Sequence, residues 1–167
     1  SVDALEVKGS YAGAVGMPQF IPSSYRAYAV DFDNDGRRDL WASTADAIGS
    51  VGNYFQRHGW RAGEPVAFRA KVPGAVPRGT PVAKKKPMKP GTNWSRLLAA
   101  GVTADKRLSP STRVTLVRLD APGAEYWLAL TNFYVITRYN HSNLYAMAVY
   151  QLSREIQDAY EAGGEEP

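Results

Sequence analysis

Three aspartates within five residues, Asp31-Phe32-Asp33-Asn34-Asp35, followed at once by Gly36, constrain this chain more than any other stretch. Carboxylates this close repel one another unless something positive stands among them. Alternating side-chain oxygens, a sharp turn at glycine and a later carbonyl suit the hard, high-coordination Ca2+ ion. Asp31, Asp33, Asp35, Gly36, Arg37 and Asp39 fill positions 1, 3, 5, 6, 7 and 9 of an EF-hand loop. Position 12 departs from the pattern, because Ala42 stands where a bidentate glutamate belongs and the next acid is Asp46. Asp46 falls in the first turn of an expected helix, where it either closes the coordination shell or simply favours the helix dipole. The competing reading is a polar Asp/Asn turn without metal. With one loop and no methionine-rich groove, the expectation is a structural Ca2+ and not a sensor.

The rest of the chain must fold by burial alone, since it has no cysteine and therefore neither disulfides nor thiolate metal sites. A chain of 167 residues suffices for that, burying roughly 70% of its unfolded surface. Apolar residues at 44% and charged residues at 22% are globular values. No run of 18 apolar residues exists, and Ser1-Val2-Asp3 does not open a secretory signal. The chain is expected to carry no transmembrane segment and to be a trimmed product or a fragment. Net charge is +4, which favours anionic partners. The excess is local: Arg69, Lys71, Arg78, Lys84, Lys85, Lys86 and Lys89 share one Pro-rich segment, and the remainder is slightly acidic.

Along the chain, the run from Lys8 to Gly16 is rich in glycine and alanine and reads as a tight loop of close approach, ended by Pro18. A short helix is expected from Ser23 or Ser24. A stronger one starts near Thr44, with Ala47, Ile48, Val51, Tyr54 and Phe55 on one face and Gly59 as its C-cap. Residues 64–91 read as loop or short edge strands, and Ser95 to Ala100 as a brief helix stopped by Gly101. Arg113 to Leu119 and Glu125 to Leu130 read as two strands joined at Pro122-Gly123. Leu144, Ala148, Leu152 and Ile156, spaced every four residues behind Asn140 or Ser142 as cap, predict a closing helix of about four turns that ends at Gly163 and Gly164. Tyr11, Gln19, Tyr25, Tyr28, Tyr54, Tyr139, Asn140 and Tyr145 are of types that stack on sugar rings and hydrogen-bond N-acetyl groups. They fit half-buried core positions equally well.

The segment Gly9-Ser-Tyr-Ala-Gly-Ala-Val-Gly-Met-Pro-Gln-Phe-Ile-Pro-Ser-Ser-Tyr25 resembles the signature of the lytic murein transglycosylase B family. Asp46-Ala-Ile-Gly-Ser-Val-Gly-Asn-Tyr-Phe55 with His58-Gly-Trp60, then Asn132 to Ser142 and Tyr145 to Tyr150, follow in that family's order. The chain is thus similar to its C-terminal portion. The resemblance implies an α+β fold with a lysozyme-like, mainly helical core, a small inserted β domain and an EF-hand-like calcium loop. Residues 1–63 and 132–167 would form the core parts, and 64–131 the β domain. It implies non-hydrolytic cleavage of the MurNAc–GlcNAc β-1,4 bonds of peptidoglycan, leaving 1,6-anhydro-MurNAc. One glutamate would act as general acid and then general base. Ser10, Gln19, Tyr54, Tyr139, Asn140 and Tyr145 would face the glycan. Asp31, Asp33, Asp35, the Arg37 carbonyl and Asp46 would hold a structural Ca2+, with no organic cofactor.

That family's catalytic glutamate precedes the Gly/Ala block, where this chain offers only Ser1 to Lys8. Glu6 does not match it, and Glu64, Glu125, Glu155 and Glu161 lie in other segments. The acid is therefore expected in a missing N-terminal portion of the same enzyme, which leaves this piece inactive alone. Its setting would be periplasmic, soluble or lipid-anchored to the outer membrane. The alternative is a non-catalytic, calcium-stabilised peptidoglycan-binding module. Nucleic-acid binding through Lys84 to Lys86 is disfavoured, since no aromatic is interleaved there and no groove-reading helix accompanies it.

Overall fold

The computed structural model describes residues 9–76, 78–120 and 123–163. Glu6, Pro122 of the expected turn and Gly164 lie outside them. Packing divides the chain into two units, with the boundary in the sequence between His58 and Gly59.

In the first unit, the Gly/Ala-rich run closes on itself through a bridge between Val15 and Phe20. Helix α1 (Pro22–Tyr28) begins on a proline, whose missing N–H costs nothing in a first helical turn. Helix α2 (Thr44–Arg57) is capped by the Ser43 side chain, which accepts the Asp46 amide. It ends at Arg57 with His58 as C-cap, and the next residue, Gly59, has the positive φ of +92° that suits the glycine following a helix. Between them the acidic loop is pinned on α2: the Asn53 amide side chain donates to the Tyr28 carbonyl, and the Val30 amide to Ser50 Oγ.

The second unit is built on a mixed sheet of strands β1 (Ala67–Lys71), β2 (Val82–Ala83), β3 (Thr92–Asn93), β4 (Thr103–Ala104), β5 (Arg113–Leu119) and β6 (Glu125–Ala129). The order is β2-β5-β6-β1-β4, with β3 on β5. Only β2 and β5 run parallel among these pairs. The hairpin expected from residues 113–130 is present. β1 is not an edge, because β6 and β4 flank it. Its arginine and lysine alternate with apolar residues and leave Phe68 and Ala70 free for the core. Leu116, Leu128 and Phe68 are register partners in one row, and they pack with Trp94 and Leu97 of helix α3 (Trp94–Ala99). Each buried leucine contributes about 1.5–3 kcal/mol.

Helix α4 (Thr131–Tyr139) and helix α5 (Asn143–Gly163) follow the sheet. α5 begins where expected, with Ser142 Oγ accepting the Tyr145 amide at 3.2 Å. Its apolar stripe does not behave as the period implies: Leu152 is 57% and Ile156 60% exposed, while Ala146 and Met147 are buried. No helix among the described residues is long and apolar enough to cross a membrane.

Candidate functional site

The acidic loop is shaped by its own side chains. Asp31 accepts the Asp35 amide on Oδ1 at 3.1 Å and the Gly36 amide on Oδ2 at 2.9 Å. Asp35 Oδ1 accepts the Arg37 amide at 2.8 Å, and Ser43 Oγ donates to Asp33 Oδ2 at 2.8 Å. Left-handed backbone at Asn34 (φ 61°) and Gly36 (φ 86°) turns the chain so tightly that Asp31, Asp33 and Asp35 each offer a carboxylate oxygen within 4.8 Å of the others. An all-oxygen donor set of three anions is the chemistry a hard divalent cation requires, so these residues fit Ca2+.

Asp46 sits apart from that group. It is fully buried, with relative exposure 0%. Its Oδ1 accepts the Phe32 amide and its Oδ2 the Asp39 amide, both at 2.7 Å, so it clasps the loop at both ends. Those two amides, Phe32 first, hold its carboxyl below the usual aspartate value in spite of burial. Asp39 is lowered likewise, first by the Ala42 amide and then by that of Trp41. Arg37, expected to contribute its carbonyl, is exposed in the same loop.

Ser10 and Gln19 lie at opposite ends of the Gly/Ala-rich loop and are both exposed. Ser10 Oγ accepts the Ala14 amide at 3.1 Å, and Gln19, in left-handed backbone at φ 53°, donates from Nε2 to the Gly16 carbonyl. Tyr54 is only 8% exposed, inside a ring cluster with Phe20, Tyr28, Phe55 and His58. The His58 ring stacks on it at 4.0 Å. In the second unit, Tyr139, Asn140 and Tyr145 gather at the α4–α5 turn, which closes where the Ser142 amide donates to the Asn140 carbonyl at 2.7 Å. Asn140 is exposed and the two tyrosines are half-buried.

Two buried amides carry structural weight that the sequence did not announce. Asn132 accepts the Arg61 amide and donates to the Arg61 and Glu64 carbonyls, fixing the segment that leads into β1. Asn143 donates to the Lys84 and Lys86 carbonyls, fastening the basic segment to α5. The one available signal was an asparagine inside an otherwise apolar helical run. Among the described glutamates none is buried. Glu64 pairs with Arg61, Glu125 with Arg69, Glu161 accepts from Gln157, and Glu155 is exposed.

Residues 1–154 match the family described as "Transglycosylase SLT domain". Over 157 residues the chain is 49% identical to the membrane-bound lytic murein transglycosylase B of Escherichia coli strain K12, covering 92% of this chain and 41% of that protein. The structure of the Escherichia coli lytic transglycosylase Slt35 in complex with calcium superposes with a TM-score of 0.81 at 48% identity, covering 94% of this chain and 48% of that one. SltB3 from Pseudomonas aeruginosa in complex with NAG-anhNAM-pentapeptide gives 0.70 at 34% identity, over 89% and 40%. The chain thus spans about half the length, or less, of these relatives, which are lytic transglycosylases. The fold they share with it is the lysozyme-like transglycosylase fold, helices with a mixed sheet. With the family pattern running from its first residue to residue 154, this chain belongs to the transglycosylase SLT domain family.

Proposed function

We propose that this chain is the glycan-holding part of a peptidoglycan lytic transglycosylase, which breaks MurNAc–GlcNAc β-1,4 bonds without water and leaves 1,6-anhydro-MurNAc. The observation that carries this reading is 49% identity to a lytic murein transglycosylase across 92% of the chain. The anhydro sugar in the SltB3 complex supports the product chemistry. Peptidoglycan glycan strands are the partner, contacted by Ser10, Gln19, Tyr139, Asn140 and Tyr145, with Tyr54 acting from within its ring cluster. Residues 1–63 and 132–167 form the lysozyme-like core parts, and 64–131 the inserted β domain.

The general acid and base is a glutamate outside this chain. A proton donor at neutral pH needs a carboxyl raised by burial. The one fully buried carboxylate among the described residues is Asp46, and its carboxyl is lowered. Asp31, Asp33, Asp35, the Arg37 carbonyl and Asp46 hold a structural Ca2+ in an EF-hand-like loop, as the calcium complex of Slt35 supports. The ion supplies charge compensation and rigidity, and no organic cofactor is required. The setting is periplasmic, soluble or anchored to the outer membrane by lipid.

Mass spectrometry of murein sacculi after incubation with the chain, alone and with the remainder of the enzyme, tests the reading. Anhydro-MurNAc products only in the mixture are expected. Products from the chain alone would refute the placement of the acid, and their absence from both would favour a calcium-stabilised binding module that holds glycan without cutting it.

A further inference from the structure

We propose that Lys89, Arg96 and Arg113 form a binding site for the carboxylate end of a short peptide, a site that uses none of the residues assigned above and does not depend on the transglycosylase reading. The three cations line one concavity of about 380 Å3 on the β-sheet unit, and no acidic residue lines it with them. Among the described residues none of the three takes part in an ion pair. Like charges gathered without a counter-charge raise the local potential and attract an anion.

The forks are held in place by neutral groups, which orient them without neutralising them. Arg113 Nη1 donates to Asn93 Oδ1 at 2.9 Å, across a register pair of β5 and β3. Arg96 Nη2 donates to the Gly79 carbonyl at 3.4 Å. The Thr115 hydroxyl, buried on β5, donates to the Lys89 carbonyl at 3.1 Å and ties that residue's backbone to the sheet. Two guanidinium planes match a planar carboxylate better than a point charge does. The space exceeds one carboxylate, and Pro81 and Met88 supply an apolar wall beside the cations. A small apolar side chain next to a free carboxylate is the end of a peptide, and inorganic phosphate lacks the apolar half.

Titration of the whole chain with N-acetyl-Ala-Ala, with its C-terminal amide and with inorganic phosphate, read from the amide resonances of Gly91, Thr92 and Asn93, tests the assignment. Saturable shifts with the free acid, none with the amide and weaker ones with phosphate are expected. Arg96→Gln, at an exposed side chain, should weaken acid binding about tenfold or more. Its unchanged resonances elsewhere would show that the fold is intact, and Lys89→Gln provides a second variant that touches no strand ladder. Equal response to acid and amide, binding of phosphate as tight as that of the peptide, no saturable shift, or full binding by both variants would overturn the proposal.

Discussion

A carboxylate can be buried only where its oxygens are answered, and Asp46 is answered by two backbone amides from opposite ends of the acidic loop. Asp46→Ala would leave both amides unpaired and should lower the melting temperature by roughly 5–10 °C in a thermal scan. Because its native carboxyl is depressed below 3.8, its contribution is fully present above that value and is lost as pH falls through the lower native one. Asp46→Asn should therefore flatten the stability profile below about pH 4, as urea midpoints at stepped pH would show; an unchanged slope would refute the clasp. Gly16 poses a different constraint. At φ 68° its missing Cβ would stand 2.6 Å from the Leu40 carbonyl. Gly16→Ala should cost about 2 kcal/mol or more in denaturant unfolding. The Gly/Ala-rich run made close approach legible in the sequence, but Leu40, beyond the acidic loop, is a partner that no local pattern names.

Among the elements, α5 separates what periodicity reveals from what it does not. The four-residue spacing of Leu144, Leu152 and Ile156 identified a helix and its start, yet those residues are exposed and the buried face carries Asn143, Ala146 and Met147. A four-residue repeat drifts around a 3.6-residue helix, so spacing alone does not say which part of the stripe meets the sheet. Leu152→Ser with Ile156→Ser should accordingly change stability by no more than about 0.5 kcal/mol. A larger loss in urea unfolding would mean that this stripe is covered in the chain as it stands in solution. β1 shows the converse. Its Arg69 and Lys71 made the segment look like an edge, whereas the neighbouring strands require only Phe68 and Ala70 to face the core, and the cations occupy the other positions. Asn132 and α4 went unread because a buried polar residue earns its place through partners distant in sequence. Asn132→Ala should cost roughly 2–4 kcal/mol by stranding the Arg61 and Glu64 groups.

At the scale of the whole molecule, a chain without cysteine and of near-average composition folds by burial, and the acidic loop is where a bound cation would add to its stability. The sequence located the acidic loop to the residue but not Asp46's backbone contacts, since hydrogen bonds across a turn are set by three-dimensional closure and not by spacing. Three carboxylates with oxygens within 4.8 Å of one another store repulsion in the folded chain that the unfolded chain, being extended, relieves. A cation bound only by the folded form must then stabilise it by mass action, about 2.7 kcal/mol at a hundred times its dissociation constant. At this chain length that corresponds to a rise of roughly 5–10 °C in melting temperature. Adding Ca2+ after chelation should produce this rise and slow hydrogen exchange at the amides of Phe32, Asp35, Gly36, Arg37 and Asp39. Replacing Asp31, Asp33 and Asp35 together by Asn should abolish the Ca2+ response while raising the stability of the metal-free chain, because the repulsion is gone and the side-chain oxygens still accept the loop amides. If the triple variant instead destabilised the metal-free chain, the carboxylates would be serving the turn through charged hydrogen bonds more than the ion, and the loop would be a polar turn rather than a calcium site.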